Sequence, residues 1–131
     1  MQNYRTLRVY QQARALTLAV YLATRDLPAS ERFGLTSQMR RASVSIVSNI
    51  AEGAGRGGKD FSRFLRMALG SAFELEAQLQ LCNDLLLIGP SDVDSVVEQT
   101  NEVQRKRGAL IGSIARRSRT NANNQELTTK N

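Results

Sequence analysis

Between residues 58 and 88 the chain carries a single apolar seam. Phe61, Leu65, Ala68, Ala72, Leu75, Leu79, Cys82 and Leu86 follow one another at alternating spacings of four and three. That interval keeps side chains on one face of an α-helix, and no proline interrupts it. A helix over 58–88 would run ~46 Å at ~1.5 Å per residue, enough to span a small domain. Phe64, Leu69, Phe73, Leu81 and Leu85 widen the seam, so the helix must touch more than one neighbour. Gly70 and Ser71 sit in its middle, where a small pair marks close approach of another helix. A helix of this kind is the centre of a bundle.

The remaining segments supply the partners. Val9, Ala13, Leu16, Val20, Ala23 and Leu27 repeat the same rhythm and predict a first helix over 5–27, flanked by Tyr10 and Tyr21 and ended by Leu27–Pro28. After a turn at 28–34, Leu35, Met39, Ala42, Ile46 and Ile50 predict a second helix from Leu35 to about Ala54. Asn49 falls on its seam, where a polar residue fixes register between helices. Gly53, Gly55, Gly57 and Gly58 are expected to break it. The surrounding AEGAGRGGKD lacks the strand and the GK[ST] of a phosphate loop, so a helix cap and tight turn is the better reading. Ile88–Gly89–Pro90 stops the central helix. Ser91 and Asp94 then open a fourth as a capping-box variant, carrying Val93, Val96, Val97, Val103, Leu110, Ile111 and Ile114 to about Arg119. Residues 120–131 have no periodicity and predict a disordered tail. The expected fold is all-α, an up-down-up-down antiparallel four-helix bundle over residues 1–119.

Composition narrows the chemistry. The chain has no histidine, which removes the commonest general base and the commonest metal ligand. Ser43, Ser45, Ser48, Ser62 and Ser71 therefore lack a base to activate them, and Glu74 and Glu76, two apart, do not share a helix face. No enzyme activity, metal or cofactor is expected. The lone cysteine, Cys82, lies on the seam as a packing residue. With no secretory segment and no membrane span, the expected compartment is the cytoplasm.

Charge points to a partner. The chain carries 18 Lys and Arg against 12 Asp and Glu. Folding it into a bundle brings Arg5, Arg8, Arg56, Lys59, Arg63, Arg66, Arg116, Arg117 and Arg119 to one end, against only Glu52 and Asp60. Asp84, Asp92, Asp94 and Glu98 gather at the other. The basic end is the expected nucleic-acid-binding surface, RNA or DNA. Aromatic residues are few and Phe61 and Phe64 belong to the core, so contacts should go to phosphates with little sequence preference. At mid-bundle, Arg40 and Arg41 should form structural ion pairs with Glu74 and Glu76, within the chain or across a subunit boundary. An adaptor that binds another protein, its charge serving solubility, is the alternative function.

The segments FGLTSQMRRASVSIVSNIAEGAGR (33–56) and FSRFLRMALGSAFELEAQLQL (61–81) closely resemble the four-helix-bundle proteins encoded in intervening sequences of bacterial 23S ribosomal RNA genes. Phe33–Gly34–Leu35, Arg40–Arg41–Ala42, the Asn49–Gly53 stretch, Gly55–Arg56, Gly70–Ser71 and Glu74–Leu75–Glu76 carry the likeness. The resemblance implies a ring-shaped homopentamer. It also implies distant kinship with the accessory bundle proteins of diversity-generating retroelements, which bind nucleic acid beside a reverse transcriptase. No catalytic residues come with it.

Overall fold

A computed structural model of the chain describes residues 3–89, 91, 94–105 and 123. Helix α1 spans Arg8–Thr24, α2 Leu35–Arg56 and α3 Gly58–Asp84. Residues 94–105 form the described part of α4. Two short 3-10 turns, Tyr4–Thr6 and Ala29–Glu31, precede α1 and α2. The architecture is the expected all-α, up-down-up-down four-helix bundle. The bundle's register can be followed through individual contacts. Thr17 Oγ1 donates to the Ser43 carbonyl at 3.2 Å and Arg40 Nε to Thr24 Oγ1 at 3.0 Å, an antiparallel pairing of α1 with α2. Gly53 meets Phe61 and Phe64, Ser45 meets Ser71, and Met39 meets Cys82, which runs α2 antiparallel to α3. On α4, Gln104 Nε2 donates to Glu76 of α3 at 3.4 Å.

The heptad seams fill the core. Val9, Ala13, Leu16 and Val20 of α1 are buried with Met39, Ala42, Ile46 and Ile50 of α2 and with Phe61 through Cys82 of α3 at seam positions. Val96 and Val103 complete the core from α4. Beside them Thr100, fully buried, satisfies its hydroxyl on the Val96 carbonyl at 2.8 Å. Among the described residues, no helix is long and apolar enough to cross a membrane.

The element boundaries depart from the sequence reading in ways with clear local causes. Helix α1 starts at Arg8 rather than residue 5, because Asn3 Oδ1 accepts the Arg5 N–H at 3.1 Å and closes a separate turn. It ends at Thr24, three residues before Leu27, as Arg25 and Leu27 bond to carbonyls three residues back. Helix α2 does not break at Gly53 or Gly55 but runs through both to Arg56. The reversal falls on Gly57, with φ 73 and ψ 178, and on Gly58, with φ 56, a left-handed region that glycine enters without a Cβ penalty. Helix α2 begins under a carboxylate: Glu31 Oε2 accepts the Leu35 N–H at 3.1 Å, placing negative charge at the positive end of the helix dipole.

Helix α3 stops at Asp84 by a Schellman closure. Leu87 N–H bonds the Cys82 carbonyl at 2.9 Å and Leu86 N–H the Asn83 carbonyl at 3.1 Å. The left-handed position is Leu86, φ 57, so this last member of the seam leaves the core and stands 88% exposed. The small pair in α3 also differs from expectation. Gly70 is exposed and faces open space within the chain, whereas Ser71 bonds Ser45 at 2.8 Å. Asn49 supports that link from below, donating to the Ser45 carbonyl at 2.8 Å and hydroxyl at 3.1 Å. It therefore sets register through Ser45 rather than by reaching another helix itself. Ser91 is itself helical, where a non-helical cap residue was expected. The expected fourth-helix residues Val93, Leu110, Ile111 and Ile114 and the tail at 120–131 lie outside the described residues, apart from position 123.

Cys82 keeps its structural part. Its thiol approaches the Met39 sulfur at 3.4 Å in the core. Burial, reinforced by the Glu31 charge, pushes the thiol pKa above its ordinary value. A raised pKa disfavours the thiolate that would be the nucleophile. The sign for stability is equally direct. Below the unfolded thiol pKa the buried group costs nothing, and stability is lost as pH climbs through the folded value.

Candidate nucleic-acid interface

Three local devices build the basic end. The N-terminal 3-10 turn packs against α2 as well as α1. There Tyr4 meets Tyr10 edge-on at 4.9 Å, and Arg5 lies over the Tyr4 ring at 4.9 Å. The Gly57 reversal sets the end of α2 against the start of α3. Phe64 then carries two guanidinium groups, Arg56 at 5.2 Å and Arg63 at 5.1 Å from its ring centre. Cations held on a ring face are partly freed of water and fixed in place.

The six basic residues of this end that are described, Arg5, Arg8, Arg56, Lys59, Arg63 and Arg66, are all exposed. They are not equally free. Arg56 pairs with Glu52 at 3.1 Å and with Asp60 at 3.9 Å, and Arg63 shares Asp60 at 3.7 Å. Exposed pairs of this kind contribute ~0–1 kcal/mol each, but they do neutralise part of the local field. Arg8 lines a cleft of about 490 Å³ between α1 and α4, beside Glu98 and Glu102. Arg5, Lys59 and Arg66 make no ion pair among the described residues. Arg116, Arg117 and Arg119 lie outside them.

The mid-bundle charges take other partners than expected. Arg40 donates to Thr24 Oγ1 at 3.0 Å and to the Tyr21 carbonyl at 3.4 Å, and stacks over the Tyr21 ring at 4.5 Å. Glu74 accepts from Gln78 at 3.2 Å and Glu76 from Gln104 at 3.4 Å. Arg41 and Glu74 line the same shallow depression between α2 and α3, level as the hairpin requires, yet make no ion pair among the described residues. The ion pairs among the described residues are instead those of Arg56 and Arg63 above and Arg105 with Glu102. Local i, i+3 and i, i+4 neighbours reach each other at no cost in backbone geometry, which is why they prevail.

A second surface escaped the sequence reading. Between α1 and α2 lies an open groove of about 550 Å³, lined by Tyr21, Arg32, Phe33, Arg40, Arg41 and Val44 and edged by the hydroxyls of Thr36 and Ser37. Phe33 is 87% exposed, with Arg32 over its ring at 5.5 Å. No acidic residue lines this groove. The supposedly acidic end of the bundle is thus mixed, with Asp84 and Asp94 exposed on one flank and these arginines on the other. The available signal was Phe33 itself, an aromatic in an otherwise polar turn and outside every seam.

The family model of the 23S rRNA-intervening sequence protein matches residues 5–109. The chain belongs to that family. A solved structure of the same bundle, a protein of unknown function from the S23 ribosomal protein family of Bacteroides thetaiotaomicron, superposes with a TM-score of 0.70 at 22% identity. The match covers 79% of this chain and 97% of that one, a likeness that carries the fold alone. No curated protein matches the chain. The 23S rRNA-intervening sequence family match takes in Arg5, the whole α2–α3 hairpin and the arginine–aromatic groove, and it leaves Arg116, Arg117 and Arg119 outside.

Proposed function

We propose that this protein is a non-enzymatic, oligomeric bundle of the cytoplasm that binds nucleic acid, RNA or DNA, through phosphate contacts at its basic end. The observation that carries this reading is the set of exposed cations Arg5, Lys59 and Arg66. Arg5 comes from the N-terminal turn and Lys59 and Arg66 from the first turns of α3, and all three lack ion pairs among the described residues. Unpaired surface cations attract a polyanion and release its counterions, the main source of sequence-independent affinity. Assembly is supported by apolar side chains that the chain alone leaves uncovered. Phe73 and Leu81 of α3, Leu85 just beyond its end, and Leu18 and Leu22 of α1 are each more than half exposed. Such surface marks contact with another molecule, and a ring of copies, a homopentamer by resemblance, would repeat the basic end around its rim. A reverse transcriptase is the protein partner that the same resemblance suggests.

The test is a salt titration of binding to duplex DNA and structured RNA. Affinity should fall with a log–log slope of about −0.9 per phosphate neutralised on B-form DNA. Arg63→Ala with Arg66→Ala should flatten the slope by about one unit rather than two, since Arg63 is already shared with Asp60. Asp84→Asn with Asp94→Asn should leave it unchanged. Light scattering on the same preparation should give a mass well above the 14.5 kDa of one chain. An oligomer that binds no nucleic acid at ~50 mM salt would instead favour an adaptor working through the apolar surface of α3.

A further inference from the structure

The groove between α1 and α2 combines features that the basic end lacks. Its aromatic rings are accessible, Phe33 almost fully and Tyr21 at 41% exposure, whereas at the other end Phe61 and Phe64 are buried and Tyr4 and Tyr10, packed edge-on against each other, are half-buried. Each accessible ring already carries one guanidinium, Arg32 on Phe33 and Arg40 on Tyr21. Arg40 is fixed further by its bonds to Thr24 and the Tyr21 carbonyl, so its position is set before any ligand arrives. Arg32, Arg40 and Arg41 make no ion pair among the described residues, and no carboxylate lines the groove to oppose an anion.

We propose that this groove binds single-stranded nucleic acid, one base stacking on Phe33 while neighbouring phosphates lie on Arg32, Arg40 and Arg41. A flat ring beside unpaired guanidinium groups suits a polymer that alternates base faces with phosphates. A duplex does not fit, because its bases are already stacked on one another and the groove of about 550 Å³ holds only a nucleotide or two. An apolar peptide would leave three arginines unpaired, which charge complementarity argues against. The inference takes from the proposed function only the class of polymer. Its surface is separate from the basic end, and so is its mode of contact.

Fluorescence anisotropy on the full chain tests it with three probes: an oligouridylate of roughly 12 nucleotides, an abasic strand of equal length, and a duplex of about 20 base pairs. Phe33→Ala is the informative variant, since so exposed a side chain can be removed without touching the core. It should weaken oligouridylate binding roughly ten- to a hundredfold and leave duplex binding within about twofold. The abasic strand should bind the wild-type protein about as weakly as oligouridylate binds the variant. Arg63→Ala with Arg66→Ala reports on the basic end separately, through the duplex salt slope. Duplex binding could therefore fail while Phe33-dependent binding of oligouridylate stands, or the reverse. The proposal is overturned if Phe33→Ala binds oligouridylate as the wild type does, or if the abasic strand binds equally well. A Phe33→Ala protein of reduced mass in light scattering would likewise overturn it, by making the groove a contact between copies.

Discussion

Gly53→Ala is expected to destabilise the bundle by about 2 kcal/mol, the overpacking cost of ~1–3 kcal/mol outweighing what helix propensity returns. A Cβ at this position would stand 2.7 Å from the Phe64 Cβ, 3.3 Å from the Phe61 carbonyl oxygen and 3.4 Å from the Phe61 Cα. None of these atoms is the end of a flexible side chain, so relief requires α2 and α3 to move apart. That motion would loosen the packing of Ile50, Ala54, Phe61 and Leu65, all buried around the same contact. Gly53→Leu should leave no folded bundle at all. Gly55→Ala is the internal control, two residues along the same helix with nothing within 4 Å of its would-be Cβ. There only the propensity gain of up to ~1 kcal/mol should remain, and the variant should be more stable than wild type. Urea midpoints at one fixed protein concentration measure all three. A destabilised Gly55→Ala together with a neutral Gly53→Ala would refute the assignment of the close contact.

The second large effect separates two leucines that share one heptad seam. Leu75 is fully buried at the middle of α3, and its replacement by alanine should cost ~2–5 kcal/mol through lost burial and the cavity left behind. That is a large part of the ~5–15 kcal/mol that holds a domain of this size folded. Leu86, the seam's last member, has neither the burial nor the helical backbone. Leu86→Ala should change stability by less than about 0.5 kcal/mol. Leu86→Gly should raise stability by about 1 kcal/mol, because glycine occupies the left-handed region without the Cβ strain that leucine bears there. Denaturation monitored by circular dichroism should rank Leu86→Gly above wild type and Leu75→Ala far below it. Equal losses at 75 and 86 would mean that α3 continues past Asp84.

These pairs also show where the sequence was informative. Heptad spacing located α2 and α3 and most of the core, because burial on a helix face leaves a periodic trace that survives without knowledge of neighbours. It carried the seam one step too far at Leu86, since spacing does not register the backbone turning left-handed at a non-glycine residue. Glycines were visible but not their roles. Gly70 looked like the notch and faces open space, whereas Gly53 looked like a breaker and is the notch. Propensity sees only the local cost of a glycine, and which face meets another helix is decided by the partner. The charges followed the same division. Level placement of Arg41 with Glu74 was legible from the hairpin, but level is not paired: Glu74 accepts from Gln78 instead, and the neighbouring Arg40 donates to Thr24. Phe33 was legible as part of the Phe33–Gly34–Leu35 motif but lay outside every heptad seam, so its exposure and its groove could be seen only once α1 and α2 were side by side.

The Gly57 reversal bears on the order in which the bundle can assemble. It places Gly53 against Phe64, residues only 11 apart in the chain, and the zipper then runs outward through Ser45–Ser71 to Met39–Cys82. Closing so short a loop loses little chain entropy, and each later contact extends a pairing already begun. Helices α1 and α4, by contrast, reach the core through longer connections and need a formed surface to dock on. The α2–α3 hairpin is thus the part of the chain able to collapse by itself, and the outer helices inherit their positions from it.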